Sequence, residues 1–312
     1  MKKVQYIHSD TFKDPSSFIR KLSYKAVQRS MTHKNIVRLV PDNVFIKALY
    51  KIRTGEKLNL KNPNGFNEKL QWIKLNDRKE IYTTMVDKYS VRKYVASKIG
   101  TQYLNDLLEV YSSVDEIDWS QLPNQFVLKC THGSGCNIIC PDKNLLNIKE
   151  AKKQLEKWMR TNYYFYGREW PYKDIKPKII CEKYIEKNII DYKFYCFNGE
   201  PKFLYTSNFS DESGNMLGNS AQMSFYDMNW DKCEFFREDH ESMEINVPKP
   251  SKLEEMREIA KSLSANTYFA RIDLFYVDEK IYFSEITLTP GSGFTLFHPK
   301  TYEEEIGSWM EL

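Results

Sequence analysis

The sequence lacks the long apolar runs of a membrane-spanning protein. No stretch of 18 apolar residues occurs in its 312 residues, so we expect no transmembrane helix. Residues 1–10 contain no apolar core like that of a secretory signal, and we therefore expect a cytoplasmic protein. Cysteine and histidine are scarce, at six and five residues, and no two cysteines form a Cys-x-x-Cys pair. These absences argue against a structural zinc site and favour free thiols in a reducing compartment.

Charge is distributed unevenly along the chain. Residues 1–61 contain 14 Lys and Arg but only 4 Asp and Glu, whereas the remaining residues contain 32 basic and 38 acidic side chains. A basic segment of this kind favours an anionic partner, which is a membrane leaflet, an anionic glycan or nucleic acid. Alternatively, these charges only solvate the exposed faces of ordinary helices.

Apolar spacing predicts several helices. Apolar residues recur at helical intervals near Phe18, from Asp42 onward, and from Phe66 to Ile73. Asp87 is expected to cap a further helix. Ser251 opens a Ser-x-x-Glu capping box, which predicts another helix start. With no repeat or low-complexity tract, the length suits two or three domains with a sizeable core.

Two runs of β-branched and aromatic residues, 268–275 and 281–286, are separated by a polar turn and predict a hairpin. Because side chains alternate between the faces of a strand, Arg271 and Asp273 share one face of the first strand. Glu285 and Thr287 likewise share one face of the second. Two carboxylates beside substrate phosphates usually hold Mg²⁺, and a neighbouring Arg suits a phosphate. The hairpin therefore predicts a metal–phosphate site, with a solvated hairpin carrying an incidental ion pair as the alternative.

A second candidate site is a predicted strand that ends in Lys129, followed by a loop of small residues and a returning strand. The loop contains Gly133, Ser134 and Gly135, whose backbone N–H groups are able to wrap an anion. A plain hairpin with a loose tip fits the same pattern. Lys193 lies on a later strand, where it is either a phosphate contact or a surface lysine.

The order of these parts resembles the ATP-grasp superfamily, and within it the TupA-like branch, which is associated with bacterial surface-polysaccharide synthesis. The resemblance covers about residues 45–300, and the joint order of its motifs is highly specific. The matching segments are Asn67-Glu68-Lys69-Leu70-Gln71-Trp72, Asp87-Lys88-Tyr89-x-Val91-Arg92, Phe126-Val127-Leu128-Lys129, His132-Gly133-Ser134-Gly135, Asp191-Tyr192-Lys193-Phe194, Phe197-Asn198-Gly199-Glu200-Pro201, Tyr226-Asp227-x-x-Trp230 and Thr289-Pro290-Gly291-Ser292-Gly293-Phe294.

The resemblance implies an α+β, ATP-grasp fold in which two α+β subdomains clamp ATP, preceded by a basic helical segment. We expect four regions along the chain. They are the basic segment at 1–62, a region before the ATP-grasp fold at 63–118, a subdomain with the glycine lid at 119–190, and a subdomain with the metal site at 191–312.

The resemblance also implies a role for each site residue. Lys88 and Lys129 would contact ATP phosphates, with Lys129 also in reach of adenine N7, and the loop from Gly133 to Gly135 would form a flexible lid. The residues implied to bind the nucleoside are Glu182, Tyr184 and Ile185 at the adenine edge and Asp191 at the ribose. The residues implied to act on phosphate and metal are Arg271 at the γ-phosphate and Asp273, Glu285 and Thr287 at Mg²⁺.

Thr287 departs from the pattern of the wider superfamily, which usually has Asn at this position. An alcohol oxygen is a poorer Mg²⁺ ligand than an amide oxygen. Coordination through a water molecule is therefore the alternative for Thr287.

The implied function is an ATP- and Mg²⁺-dependent carboxylate–amine ligase. ATP would phosphorylate a carboxylate, and an amine would attack the acyl phosphate to give an amide, ADP and phosphate. The N–H groups of Gly291, Ser292 and Gly293 are expected to bind the tetrahedral oxyanion. The family association implies a uronic acid in a polysaccharide precursor and an amino acid as the amine, or an amino-acid carboxylate joined to an amino sugar.

Two other functions are alternatives, although no catalytic base for a kinase stands out near Asp273, and Lys129, Arg271, Asp273 and Glu285 together argue against a non-catalytic protein. One is a kinase that phosphorylates a sugar hydroxyl, and the other is a non-catalytic glycan- or membrane-binding protein. The basic segment is expected to recruit the protein to an anionic leaflet or glycan, which would place a cytoplasmic protein at the inner face of the membrane. No nucleic-acid partner is expected for the whole protein.

Overall fold

The computed structural model describes residues 38–185, 189–208, 222–237 and 247–312. The chain divides into two compact units, residues 1–59 and residues 60–312. Helix α1 (Asp42–Thr54) belongs to the first unit and begins where Asp42 predicted a helix. The helix predicted near Phe18 lies outside the described residues. Within the described ranges, no helix combines the length and apolar character needed to cross a membrane.

Within the described residues, the second unit contains three sheets and seven α-helices. These helices are α2 (Phe66–Asn76), α3 (Ile81–Val86), α4 (Val91–Ile99), α5 (Ile148–Met159), α6 (Tyr164–Gly167), α7 (Leu253–Ser264) and α8 (Thr301–Ser308). Asp87 Oδ1 accepts the N–H groups of Tyr89 and Ser90 at 2.8 and 3.1 Å, in the turn that leads into α4. Asp87 therefore caps the turn before α4, whereas the helix itself begins at Val91 without a side-chain cap.

The capping box predicted at Ser251 is wrong. Helix α7 begins at Leu253 without a side-chain cap. The Ser251 hydroxyl instead donates to Glu279 Oε2 at 2.8 Å, on a hairpin turn distant in sequence. A tertiary contact thus replaces the local cap.

The smaller sheet carries the predicted Lys129 strand. Its strands are β1 (Leu107–Tyr111), β2 (Phe126–Cys130), β3 (Asn137–Cys140) and β4 (Ile179–Lys183), all antiparallel in the order β1-β4-β2-β3. Phe126 and Leu128 pack with Leu155 of α5 in one buried cluster. Because β1 pairs with β4, this sheet begins earlier in the chain than the boundary predicted at residue 119.

The larger sheet carries the predicted hairpin. Its strands are β5 (Asp191–Phe197), β6 (Glu200–Asn208), β7 (Gln222–Asp227), β9 (Phe269–Val277) and β10 (Lys280–Thr287), in the antiparallel order β10-β9-β5-β6-β7. Short strands β8 (Phe236–Arg237) and β11 (Phe297–His298) pair separately. The two-residue turns at Asn198-Gly199 and Asp278-Glu279 have positive φ at both positions, which matches the twist of a hairpin.

The two faces of the larger sheet bury different side chains. Even-numbered positions such as Phe194 and Ile272 pack with Met256 of α7. Odd-numbered positions such as Tyr195 and Phe269 instead form an aromatic cluster with Phe66 of α2. Before Tyr195 on β5 and after Phe269 on β9, this same odd-numbered face is charged, and it forms the candidate site.

Candidate active site

Three neighbouring strands bring a row of opposite charges together on the odd-numbered face. Lys193 of β5 lies opposite Asp273 of β9, which lies opposite Glu285 of β10. Lys193 Nζ is 2.8 Å from Asp273 Oδ2 and 3.0 Å from Asp191 Oδ2. Lys193 is buried, so the alternative of a surface lysine is wrong.

Arg271 joins this row to the end of β10. Its Nε and Nη2 donate to the two oxygens of Asp273 at 2.7 and 2.6 Å. Nη2 also donates to Glu285 Oε1 and to Thr287 Oγ1, each at 3.0 Å. The two carboxylates predicted to bind Mg²⁺ therefore converge on one nitrogen, and Thr287 lies beside them.

A bulge in β10 makes this convergence possible. The register shifts between Phe283, which lies opposite Leu274, and Glu285, which lies opposite Asp273. Ile281 and Phe283, before the bulge, point into the apolar core that packs on α7. The extra residue turns the following odd-numbered positions to the charged face.

The ion pairs stabilise the charged forms despite burial. Burial disfavours the charge on Arg271, but Asp273 and Glu285 outweigh it and hold the Arg271 pKa above its usual value. Burial likewise opposes the charge on Glu285, yet Lys88, Arg271 and Lys193 hold its pKa well below the usual range. The pKa of Lys193 is raised because Asp191 and Asp273 outweigh its burial. These three groups therefore stay ionised at neutral pH.

Asp191 differs from the other carboxylates. Its Oδ1 atom is buried and has no hydrogen-bond partner among the described residues. Burial raises the pKa of Asp191, although Lys193 opposes that shift. A buried carboxylate oxygen without a donor is costly, which makes this atom a candidate ligand contact.

A recess next to this row contains the residues predicted to meet the nucleotide. Glu182 Oε2 lies 2.7 Å from Lys129 Nζ, and Glu182 Oε1 lies 3.0 Å from Arg92 Nη1. Lys88 Nζ lies 3.3 Å from Glu285 Oε2 and donates to the Gly133 carbonyl at 2.8 Å. The recess is lined by Lys88, Arg92, Lys129, Ile180, Glu182, Phe283 and Ser284.

The predicted lid is only partly exposed. Thr131, His132 and Gly133 are buried, and a His132 ring nitrogen lies 3.1 Å from the Trp158 carbonyl. Ser134 and Gly135 are exposed at the tip, where Gly135 has a φ of 71°. The exposed part of this loop is therefore limited to its tip, and the flexible lid stays a prediction. Tyr184 and Ile185 lie directly after β4 and are half-buried.

The Pro290–Gly293 loop follows β10 and makes a left-handed turn. Gly291, Ser292 and Gly293 have φ values of 56°, 55° and 69°. The Ser292 N–H donates to the Thr289 carbonyl at 2.9 Å. The predicted use of this N–H as an oxyanion donor would therefore require its bond within the loop to break. Gly291 and Gly293 stay candidates for the role.

Sequence reasoning missed several residues that organise the site. Arg92 orients Glu182, and the Tyr205 hydroxyl lies 3.5 Å from Arg271 Nη1. Tyr205 lies at an odd-numbered position of β6, opposite Lys193 of β5. A prediction of the pairing between β5 and β6 would therefore have placed Tyr205 at the site. Lys74 and Glu169 hold the Pro290–Gly293 loop. No periodic pattern marks Glu169, because it lies between short helical turns.

The fold and the arrangement of lysines, arginine and carboxylates define a protein of the ATP-grasp class. The model of the family described as TupA-like ATPgrasp matches residues 68–311, and the chain belongs to this family. The resemblance inferred from the sequence is thereby confirmed, as is the α+β ATP-grasp fold.

Solved structures with low sequence identity resemble the chain. D-alanine–D-alanine ligase from Helicobacter pylori is 15% identical with a TM-score of 0.43, covering 79% of this chain and 69% of that one. D-alanine–D-alanine ligase from Bacillus anthracis complexed with ATP is 14% identical with a TM-score of 0.38, covering 66% of this chain. This chain spans 54% of the length of that ligase. No curated protein sequence matches the chain.

Proposed function

We propose that this protein is an ATP- and Mg²⁺-dependent carboxylate–amine ligase. The observation that carries the proposal is the convergence of Asp273 and Glu285 on Arg271, beside the recess that contains Lys88 and Lys129. Carboxylates next to several cations suit the binding of a metal–polyphosphate complex. Membership of the TupA-like ATP-grasp family supports the same assignment.

The residues at this site fit Mg²⁺ when phosphates supply further ligands. Within the described ranges, no cluster of three or more His, Cys, Asp or Glu side chains is arranged to hold a metal by itself. Asp273 and Glu285 offer two carboxylates, with Thr287 beside them, and Mg²⁺ is usually bound by one or two carboxylates plus substrate phosphates. When bound, Mg²⁺ would neutralise charge on the transferred phosphoryl group.

The cations of the site would act on the phosphates. Lys88, Lys193 and Arg271 each contact a carboxylate now, and we propose that they turn toward phosphate oxygens in the complex with ATP. Lys129 would do the same beneath the lid, with Glu182 and the backbone of Tyr184 and Ile185 at the adenine. Asp191, whose Oδ1 is unpaired among the described residues, would accept from the ribose hydroxyls.

The proposed reaction proceeds in two balanced steps. A substrate carboxylate oxygen attacks the γ-phosphorus of ATP, the bond to the β–γ bridging oxygen breaks, and ADP leaves. The amine then attacks the carbonyl carbon of the acyl phosphate, phosphate departs, and the amine proton passes to phosphate or water. Arg271 would stabilise the transferred phosphoryl charge, and the N–H groups of Gly291 and Gly293 would meet the oxyanion.

We further propose that the carboxylate belongs to a uronic acid of a surface polysaccharide or its precursor, and that the amine is an amino acid. The association of the TupA-like branch with polysaccharide synthesis supports this choice. An amino-acid carboxylate joined to an amino sugar would use the same phosphate chemistry.

The test is an ADP-release screen in which uronic acids are crossed with amino acids, with hydroxylamine added to trap an acyl phosphate. We expect ADP release that requires one carboxylate and one amine, and a hydroxamate when hydroxylamine replaces the amine. Glu285→Gln should abolish ADP release, whereas Glu109→Gln, an exposed change on β1, should retain it. ADP release with a phosphorylated sugar hydroxyl and no hydroxamate would contradict the ligase and identify a kinase.

We also propose that the basic segment 1–61 recruits the enzyme to an anionic membrane surface. Each basic residue near such a surface contributes about 1 kcal/mol, and salt weakens this attraction. Co-sedimentation with phosphatidylserine-containing vesicles should fall at high salt and in a variant with six substitutions to Gln. Equal sedimentation of variant and parent would contradict recruitment. The substituted residues are Arg20, Lys21, Lys25, Arg29, Lys34 and Arg38.

A further inference from the structure

We infer that Lys74 and Glu169 are positioning residues, which lock the Pro290–Gly293 loop in its left-handed conformation for the proposed acyl-transfer step. The inference rests on the proposed function, in which N–H groups of this loop bind the oxyanion. The loop has a feature that its own sequence does not stabilise. Ser292, a residue with a Cβ, has a φ of 55° between two glycines of similar φ. Such a conformation is unfavourable for serine and persists only when its surroundings impose it.

Glu169 holds the side chains of the loop. In this buried carboxylate, Oε1 accepts a hydrogen bond of 2.6 Å from the Ser292 hydroxyl, and Oε2 accepts one from the Thr289 hydroxyl. The space beside Ser292 is closed, because a Cβ added to Gly167 would collide with the Ser292 side chain. Glu169 therefore fixes both the hydroxyl of the strained residue and the residue that precedes Pro290.

Lys74 holds the backbone of the same loop. Its Nζ donates to the Ser292 carbonyl at 2.8 Å and to the Gly167 carbonyl at 2.7 Å, and it lies 4.6 Å from the centre of the Phe294 ring. Gln71, three residues earlier on α2, donates to the Ser292 carbonyl at 3.1 Å. Two side chains of α2 thus contact the Ser292 carbonyl, whereas Glu169 contacts the Ser292 hydroxyl.

The charges of the two residues support one another. Burial raises the pKa of Glu169, and the positive charge of Lys74 opposes that shift together with the Ser292 and Thr289 hydroxyls. Removing either charge leaves the other in a buried environment without its counterpart. A role in packing alone would not require a buried carboxylate and a buried ammonium group to contact the same loop.

The loop is well placed for such control. It begins three residues after Thr287, which contacts Arg271 and Glu285 in the candidate site. A change in the loop backbone would displace the Gly291 and Gly293 N–H groups relative to the reacting carbonyl. It would leave Lys88, Lys129 and Glu182, which form the nucleotide recess, where they are.

The experiment compares Lys74→Met and Glu169→Gln with the parent and with Lys69→Met. Lys69 is a matched control, because it lies on α2 but its Nζ donates to the Met310 carbonyl, at 2.7 Å. We expect kcat to fall about 10- to 100-fold in Lys74→Met and Glu169→Gln, because a misplacement of about 1 Å costs up to about 100-fold. ATP affinity in calorimetry should stay within about twofold of the parent, since the recess is untouched.

Rescue distinguishes positioning from general loss of structure. Ser292→Gly in the Glu169→Gln background should recover part of kcat, because glycine adopts a φ near 55° without strain. Parent-like kcat in Lys74→Met would overturn the inference, and so would an equal loss of ATP affinity. Failure of Ser292→Gly to raise kcat would also count against it.

Hydrogen exchange of the loop keeps the inference testable if no ligase activity is found or if Glu169→Gln does not fold. Exchange at the Ser292 and Phe294 N–H groups, which are bonded within the loop, should be at least about tenfold faster in Lys74→Met than in Lys69→Met. Faster exchange without any ligase activity would support the positioning role and contradict the proposed function. Unchanged exchange would contradict the positioning role whatever the enzyme catalyses.

Discussion

Replacing Asp273 with Asn should destabilise the protein strongly, because Asp273 lies between two buried cations. Its Oδ2 atom is 2.8 Å from Lys193 Nζ and 2.6 Å from Arg271 Nη2, and the side chain is fully buried. Asn keeps the size of the side chain but removes the negative charge that both cations share.

The expected magnitude follows from the balance of charge. Three cations now face three carboxylates, namely Lys88, Lys193 and Arg271 with Asp191, Asp273 and Glu285. The substitution leaves one buried positive charge without compensation, which typically costs about 3–5 kcal/mol. In a domain of this size, about 1 kcal/mol corresponds to about 2–4 °C, so Tm should fall by about 6–20 °C.

The assay is thermal and urea unfolding of a double-mutant cycle. Adding Lys193→Met to Asp273→Asn removes the excess charge, and it should restore about 1–3 kcal/mol relative to the single Asp273→Asn variant. Asp278→Asn is the control on the same hairpin. That residue is exposed at a φ of 50°, a conformation that Asn tolerates, and stability should change by less than about 0.5 kcal/mol.

Two results would refute this reasoning. If Asp273→Asn were as stable as Asp278→Asn, the buried charges would not depend on one another as the ion pairs indicate. If the double variant were less stable than Asp273→Asn, packing by the Lys193 side chain, rather than charge, would dominate.

Three further predictions concern other parts of the molecule. Lys129→Ala should weaken ATP binding by at least about tenfold in calorimetry, because charge-assisted bonds to phosphate are strong; unchanged affinity would exclude a nucleotide contact. Amide exchange at Ser134 and Gly135 should slow when a non-hydrolysable ATP analogue binds. The Cys130 N–H, which donates to the Cys136 carbonyl, should be protected with and without the analogue. Protection of Ser134 and Gly135 without nucleotide would rule out a lid. Burial raises the thiol pKa of Cys130 and Cys196 to about 12. Iodoacetamide should therefore modify these thiols slowly at pH 8, and faster in denaturant or as the pH rises. Rapid labelling of the native protein at pH 8 would contradict this prediction.

Much of the site was predictable because strand periodicity is a local property. The alternation of side chains placed Arg271 with Asp273 and Glu285 with Thr287, and the structure brings all four together. The two strands present these side chains on the same face of the sheet, however, only because β10 contains a bulge that the alternation does not predict. Without the extra residue near Phe283, Glu285 would have faced the apolar core.

The rest of the site depends on contacts between segments distant in sequence. Arg92 and Lys129 meet at Glu182, and each comes from a different element. No local pattern indicates that an arginine on α4 will orient a carboxylate on β4. The capping box at Ser251 failed for the same reason, because Glu279 competes for its hydroxyl. Such pairings become predictable only when the packing of helices against sheets is known.

The odd-numbered face of the larger sheet combines a fold-stabilising half with a charged half. Along β5 it changes from Asp191 and Lys193 to Tyr195 and Phe197, so one strand serves both halves. The aromatic half anchors the strands by burial, and the charged half is tolerated because each cation has a carboxylate within hydrogen-bond distance. A phosphate that enters must therefore compete with those carboxylates for the cations. Mg²⁺ on the carboxylates would remove that competition, which gives a physical reason for nucleotide and metal to bind together.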